Sequence, residues 1–282
     1  MEKIIYYFSG TGNSLRTARI IASEIGGAKL FSMRNDPEMV PGTNAEMIGF
    51  VCPVYEWDAP HTVQSFVDRI TINSNAYVFM VATYIAVHGR CFETINTLLQ
   101  QKGSHLHYGK ALRCVASQCI AYAPFPPERL MVPLMEKDAK RIGEEISLGK
   151  QRNYPRMSPV TKRLYAKMMT PFLTIQHEYD KGFYTSNACV GCEICRKVCP
   201  CNNITFLEKH PVWNHTCEGC NACVVYCPAK AIQFKTPDAY IKLDNVITRR
   251  LGLPEKRKRY HNPYVIAADM MKNAEDISSI KK

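Results

Sequence analysis

The sequence predicts an α/β protein, a five-stranded parallel sheet followed by a small α+β unit, and three observations lead there. Apolar runs alternate with amphipathic helical patterns up to about residue 150, a hydroxyl-rich glycine loop separates the first run from the first helix, and nine of thirteen cysteines crowd between Cys189 and Cys227, eight of them at metal-ligand spacing. At 282 residues the chain is long enough for one large unit and one small one.

The strand-like runs are Lys3 to Phe8, Ala28 to Met33, Glu46 to Val51, Ala76 to Ala82 and Ala111 to Ala116. Near-continuous apolar runs suit parallel strands covered on both faces. Between them, Leu15, Ala18, Ala22 and Ile25 mark one face of a first helix that Gly26-Gly27 ends, and Val63, Phe66, Val67 and Ile70 mark a second. Ile95, Leu98 and Leu99 mark a third helix, and Leu134, Ile142 and Ile146 a fourth. Residues 1–150 therefore read as the sheet unit, and 151–181 as a basic, proline-punctuated connector with a short helical pattern from Leu164 to Met169. Residues 182–240 form the cysteine unit and 241–282 a basic tail, with Arg249-Arg250 and Lys256-Arg257-Lys258-Arg259, expected to be solvated.

Composition narrows the class. Hydrophobic residues at 46% and charged residues at 22% are ordinary for a globular chain, and no run approaches the roughly 18 apolar residues of a membrane span. The N-terminal apolar run is too short for a signal peptide and lacks a small-residue cleavage site. Cysteines at metal-ligand spacing fit a reducing compartment better than a disulfide scaffold, so a cytoplasmic protein is expected. The formal charge of +11 invites a nucleic-acid reading, but the basic residues lie without interleaved stacking aromatics, and no nucleic-acid partner is expected.

The segment Cys189 to Phe234 repeats with a 28-residue period. Cys189, Cys192, Cys195, Cys199 and Pro200 recur as Cys217, Cys220, Cys223, Cys227 and Pro228, each copy reading C-x2-C-x2-C-x3-C-P. Three thiolates three residues apart wrap one tight loop around a cubane, whose fourth ligand comes from elsewhere. Tetrahedral zinc, the competing reading, usually draws on two separated cysteine pairs. The pattern resembles the two-cluster ferredoxins. That resemblance implies two [4Fe-4S] clusters, one held by Cys189, Cys192, Cys195 and Cys227, the other by Cys217, Cys220, Cys223 and Cys199. Cys201 falls opposite Ala229 in the repeat and stays outside the ligand set, while Cys52, Cys91, Cys114 and Cys119 read as buried small hydrophobes.

After the first strand comes Ser9-Gly10-Thr11-Gly12-Asn13-Ser14, opening into a helix. Hydroxyls and backbone N–H groups at a helix N-terminus make an anion site. The loop has no Gly-Lys-Ser/Thr, and Leu15 stands where a dinucleotide fingerprint has its third glycine, so a terminal monophosphate such as that of FMN fits best. Here the first half of the chain resembles the flavodoxins, whose phosphate loop reads Ser/Thr-x-Thr-Gly-Asn-Ser/Thr. The resemblance implies a flavodoxin-like fold and an FMN site built from Ser9, Thr11, Gly12, Asn13 and Ser14. To these it adds Pro53, Val54, Tyr55 and Trp57 after the third strand, and Thr83, Tyr84 and Gly89 after the fourth. Tyr55 and Trp57 are the candidates for stacking on the flavin ring, and His88 reads as a solvated loop side chain.

A flavodoxin-like domain followed by a dicluster module resembles the flavodoxin/ferredoxin fusion proteins of anaerobic prokaryotes, a group whose tyrosine-histidine-proline ending is similar to Arg259-Tyr260-His261-Asn262-Pro263 here. With clusters and FMN bound, the net charge falls to roughly +5. The implied function is electron relay between clusters, FMN and partner redox proteins, with no catalytic constellation beyond the cofactor sites. The alternative is an FMN-dependent reductase of a small organic substrate, fed by the clusters. Donor, acceptor, direction of flow and oligomeric state are not readable from these residues.

Overall fold

The computed structural model describes residues 2–34, 44–244 and 248–277. Strands β1 (Lys3–Tyr7), β2 (Lys29–Ser32), β3 (Met47–Pro53), β4 (Tyr77–Tyr84) and β5 (Tyr108–Arg113) are parallel and lie in the order β2-β1-β3-β4-β5. This is the doubly wound order whose switch point falls between β1 and β3, where the loops at the C-terminal strand ends diverge to leave a crevice. β3 is buried at six consecutive positions, which requires cover on both faces. That cover comes from α1 (Asn13–Glu24), α2 (His61–Arg69), α3 (Cys91–Gln100) and α4 (Glu128–Ser147), α1 packing on α4 and α2 on α3.

Two sequence expectations shift within this sheet. β5 begins three residues before the expected Ala111, because Tyr108 is fully buried and donates to Glu145 at 2.6 Å. The apolar residues after it belong to a loop, where Val115 packs with Met131, Val132 and Tyr260. On α4, Leu134 is 57% exposed; the inward face is Met131, Met135, Ala139, Ile142 and Ile146.

The connector forms α5 (Pro159–Leu173), capped by Ser158, whose hydroxyl accepts from the Thr161 amide at 3.1 Å, with Pro159 at the first helical position. A 3₁₀ turn, Gln176–Gly182, leads into β6 (Phe183–Thr185), which pairs antiparallel with β9 (Ile232–Phe234). Between them lie α6 (Ile194–Val198), the hairpin β7 (Ile204–Leu207) with β8 (His210–Trp213), and α7 (Ala222–Val225).

The expectation of five strands is corrected here, and that of a solvated tail in part: Arg249, Arg250, Lys256 and Lys258 are exposed, but the chain around them packs. After α8 (Asp238–Lys242) and α9 (Ala267–Met270), the chain adds β10 (Ala274–Asp276) antiparallel to β2, making six strands. Tyr260, Asn262 and Val265 are buried, and Arg257 donates to the carbonyls of Cys119 and Gly252 at 3.1 and 2.9 Å. Arg19 on α1 pairs with Asp269 and Glu275, both at 2.8 Å, and so closes the outer edge of the sheet. Of the tail, 245–247 and 278–282 lie outside the described residues. No described helix is long and apolar enough to cross a membrane.

Candidate functional site

β1 delivers the chain to the crevice, and Gly12, at φ 92°, turns it into α1. A residue other than glycine is strained at that φ, and a Cβ there would also sit 2.8 Å from Val265. Ser9 accepts the Gly12 amide at 3.1 Å, which folds the loop on itself. Neighbouring strands then hold it: Ser14 bonds Thr83 at 2.8 Å, Thr11 donates to Ser117 at 2.8 Å, and the Asn13 amide donates to the Val115 carbonyl at 3.1 Å. No acidic residue stands in the first turn of α1, so its N-terminal amides and dipole face the crevice uncompensated.

Nine of the twelve expected FMN residues line one cavity of about 90 Å³ at this point. Ser9, Thr11, Asn13 and Ser14 come from the phosphate loop, Pro53, Val54 and Tyr55 from the end of β3, and Thr83 and Tyr84 from the end of β4. Trp57 lines an adjoining cavity of about 300 Å³ with Tyr84, Tyr122, Tyr179 and Tyr240. Gly12 and Gly89 line neither. Gly89 instead backs the Trp57 turn, where a Cβ would lie 1.6 Å from the Trp57 carbonyl. That turn is a two-residue corner. Tyr55 and Asp58 exchange backbone bonds at 3.0 and 2.8 Å, which puts Glu56 and Trp57 at φ 47° and 64°.

The two cysteine copies share backbone geometry as well as sequence. Left-handed residues recur at the same offset: Gly191 and Gly219 at 66° and 63°, Glu193 and Asn221 at 60°, Asn202 and Lys230 at 51° and 49°. Amide-to-sulfur bonds recur too, from Asn203 to Cys199 at 3.4 Å and from Ala231 to Cys227 at 3.3 Å. Cys189, Cys192, Cys195 and Cys227 ring a single cavity. Burial pushes the Cys195 thiol up to about 12, and Cys227, Cys192 and Cys189 add to the rise. Cys223 is raised by burial and then by Cys217, Cys220 and Cys199, with Cys195 of the first copy also close enough to act. All thirteen cysteines are free thiols. Among the described residues no three His, Cys, Asp or Glu side chains converge on a single ion site.

The second copy is fastened to the crevice. Gly10 lies so close to it that a Cβ would sit 2.4 Å from the Cys220 carbonyl and 2.8 Å from its Cβ, and Cys220 is a wall of the phosphate-loop cavity. Glu218, buried between two of the cysteines, accepts the His61 and Thr62 amides at 3.2 and 2.5 Å and the Thr62 hydroxyl at 2.8 Å. It thereby caps α2, which has no cap of its own beside Pro60. Asn221 donates to Gln118, which donates to Tyr179 at 2.9 Å. Buried Asp180 accepts from Asn203 at 2.8 Å and from the His215 amide at 2.9 Å, setting the approach to Cys217. Arg34 donates to the Cys199 carbonyl at 2.7 Å.

Several site residues either have no counterpart in the sequence reading or take a different place from the one it gave them. Ser117, Gln118 and Tyr122 follow β5 and complete the crevice. Tyr260 and the Asn262 side chain both donate to the side-chain Oδ1 of Asn13, at 3.0 and 3.2 Å, and the Asn262 backbone amide donates to the Thr11 carbonyl at 2.8 Å. Cys201 is buried against Cys199; its hydrogen bond holds the Cys199 thiol below the ordinary range and pushes Cys201 well above it. His88 is paired with the Gly89 carbonyl at 3.0 Å beside Tyr84 and Phe92.

No protein-family model matches the chain, and no curated protein does. Among solved structures it is similar to the Streptococcus pneumonia TIGR4 flavodoxin, with 11% identity, 53% of this chain and 99% of that one, and a TM-score of 0.37. Two-electron reduced Megasphaera elsdenii flavodoxin gives 19% identity, 51% and 98% coverage and a TM-score of 0.34. Rubredoxin oxygen:oxidoreductase from Desulfovibrio gigas gives 12% identity, 52% and 35% coverage and a TM-score of 0.36. These likenesses extend over about half of this chain.

Proposed function

We propose that the chain is an electron-transfer protein that holds FMN in residues 1–150 and two [4Fe-4S] clusters in 182–240, and relays electrons among them and to partner redox proteins. Residues 151–181 connect the two units, and within the tail, 241–282, the described residues pack on both, β10 on β2 and α9 on α6. The observation that carries this reading is Cys220, at once an expected cluster ligand and a wall of the phosphate-loop cavity. The residues suit the groups. The loop offers hydroxyls, a left-handed glycine and an uncapped helix dipole to a phosphate monoester, and the aromatic cavity beside it offers Trp57 and Tyr84 to a planar ring. The thiols ring a space rather than meet at a point, as a cubane requires and a single zinc ion does not. When bound, clusters exchange single electrons and a flavin one or two, which makes the pair a gate between one- and two-electron partners.

The chain's own residues set the route. Cys192 is exposed and Cys189 and Cys227 half-buried, which opens the first expected ligand set to a protein partner, while Cys199, Cys220 and Cys223 of the second set are buried and Cys220 walls the crevice. Protein prepared without oxygen is expected to contain about eight iron, about eight acid-labile sulfides and about one FMN per chain. Zinc without labile sulfide, or cluster-loaded protein unable to take up FMN, overturns the reading. The second reading, an FMN-dependent reductase of a small organic molecule, is favoured by the volume of the aromatic cavity. It predicts that a quinone, nitro or enoate compound perturbs the bound flavin's spectrum.

A further inference from the structure

The aromatic cavity contains one acid that the relay does not use. Glu56 lies at the strained corner of the β3 loop, and Gly89 and the Arg90 amide, 2.7 Å from the Trp57 carbonyl, hold that corner in place. Its Oε2 is buried without a hydrogen-bond partner among the described residues, and so is the hydroxyl of Tyr240 in the same cavity. A carboxyl oxygen left unpartnered in an apolar cavity is costly unless it holds a proton or meets a ligand.

Further spaces lie between this cavity and the surface. A second space of about 150 Å³ shares Glu56 and Tyr179 with it, and shares Gln176 and Glu218 with a surface cleft of about 400 Å³. Exposed His61 and His215 stand in that cleft. Glu218, committed to the amides of α2, walls the passage with a fixed negative charge.

We propose that Glu56 is the proton donor for the flavin ring, recharged through the Gln176 and Glu218 passage; the inference rests on FMN binding as proposed above. Each electron reaching the ring leaves a reduced cluster, which is oxidised and was itself charged by an external one-electron reductant. The balancing proton leaves the Glu56 O–H, and the carboxylate then takes a proton from water in the passage. Without such a group the added charge would rest in a cavity walled by apolar and aromatic side chains. Burial first, and the Glu218 charge second, raise the Glu56 carboxyl to about 7, where it both holds and yields a proton near neutrality. The tyrosines around it include Tyr55, Tyr122, Tyr165, Tyr179 and Tyr240, whose hydroxyls burial raises above the ordinary tyrosine range and keeps neutral; Tyr84 lines the same cavity, and Arg90 lies across the Tyr165 ring.

The test compares wild type with Glu56→Gln, both loaded with iron, sulfide and FMN, whose contents are measured on the same samples. The wild-type flavin midpoint potential is expected to fall with pH and to change slope near pH 7; Glu56→Gln is expected to lose that change of slope. Rapid reduction by dithionite is expected to show flavin reduction slowed about 100-fold in the variant at pH 7, with cluster reduction unchanged. Infrared titration of flavin-free protein supplies an independent arm: a protonated carboxyl band that vanishes near pH 7 and is missing from Glu56→Gln. FMN bound normally in both proteins with identical slopes and rates overturns the inference and leaves the relay standing. Failure of wild type to bind FMN overturns the relay itself, and the inference with it.

Discussion

The two cysteine copies have the same spacing, the same left-handed residues and the same amide-to-sulfur bonds, yet they face opposite environments. In the first, position 190 is a valine 73% exposed and Cys192 is open to solvent. In the second, the matching positions are Glu218, buried as the cap of α2, and Cys220, pressed against Gly10. The motif thus specifies how a loop wraps its contents, and the residues between the cysteines specify what that loop docks on. On the proposed relay, one sequence pattern would then serve as an outward terminal and an inward one.

The largest effect should separate the two thiols. Cys192→Ala is expected to halve the iron content, to about four per chain, and to leave FMN uptake unchanged. Cys220→Ala is expected to lose similar iron and also weaken FMN binding at least ~10-fold, because the wall beside Gly10 loses its anchor. Iron analysis and flavin titration on both variants check this; equal flavin affinity would mean that the copies differ in surroundings but not in role.

Next comes the position between the thiols. Glu218→Ala removes a buried cap and leaves two amides of α2 unpartnered, so denaturant unfolding of the loaded protein should show about 1–2 kcal/mol of lost stability. Val190→Ala, its repeat partner, should change stability by less than about 0.5 kcal/mol, since the side chain is mostly in water.

Much of this was legible in the sequence, for reasons that also mark its limits. Strands β1, β3 and β4 lie within about two residues of their apolar runs because both faces are buried and no alternation competes. The phosphate loop and the repeat were legible because their chemistry sits in contiguous residues. Glu218 was not, because its partners lie more than 150 residues away on α2 and a lone acid in a loop reads as solvated. β10 reads Ala-Glu-Asp, which carries no strand pattern, and it is a strand because β2 offers an open edge and Arg19 neutralises Glu275. Arg257 reads as part of a solvated tail for the same reason: main-chain carbonyls partner it, and carbonyls leave no trace in sequence.

The closing segment offers a smaller contrast. Tyr260 and Asn262 bond the phosphate loop from one side while His261 lies 5.0 Å from the Tyr226 ring, next to the cysteine module. Tyr260→Phe removes one of two donors to Asn13 and keeps the ring, so FMN affinity should fall about fivefold with iron content unchanged. An unchanged affinity would show that Asn262 alone orients the loop.

The finest comparison sets Glu193 against Asn221, residues with the same φ of 60° in equivalent places. A left-handed conformation costs a non-glycine residue about 1 kcal/mol, and asparagine less. Glu193 gains little in return, since its bond is a surface pair with Arg196 three residues on. Glu193→Gly should therefore stabilise the protein by about 0.5 kcal/mol. Asn221 is 2% exposed, and its amide donates to Gln118, which in turn holds Tyr179. Asn221→Gly relieves less strain and breaks that chain, so it should destabilise by about 1 kcal/mol. Unfolding of the two variants under identical loading reads the signs directly. Opposite signs would mean that docking, not backbone geometry, distinguishes the inner copy; matching signs would mean that loop strain outweighs the bond to Gln118.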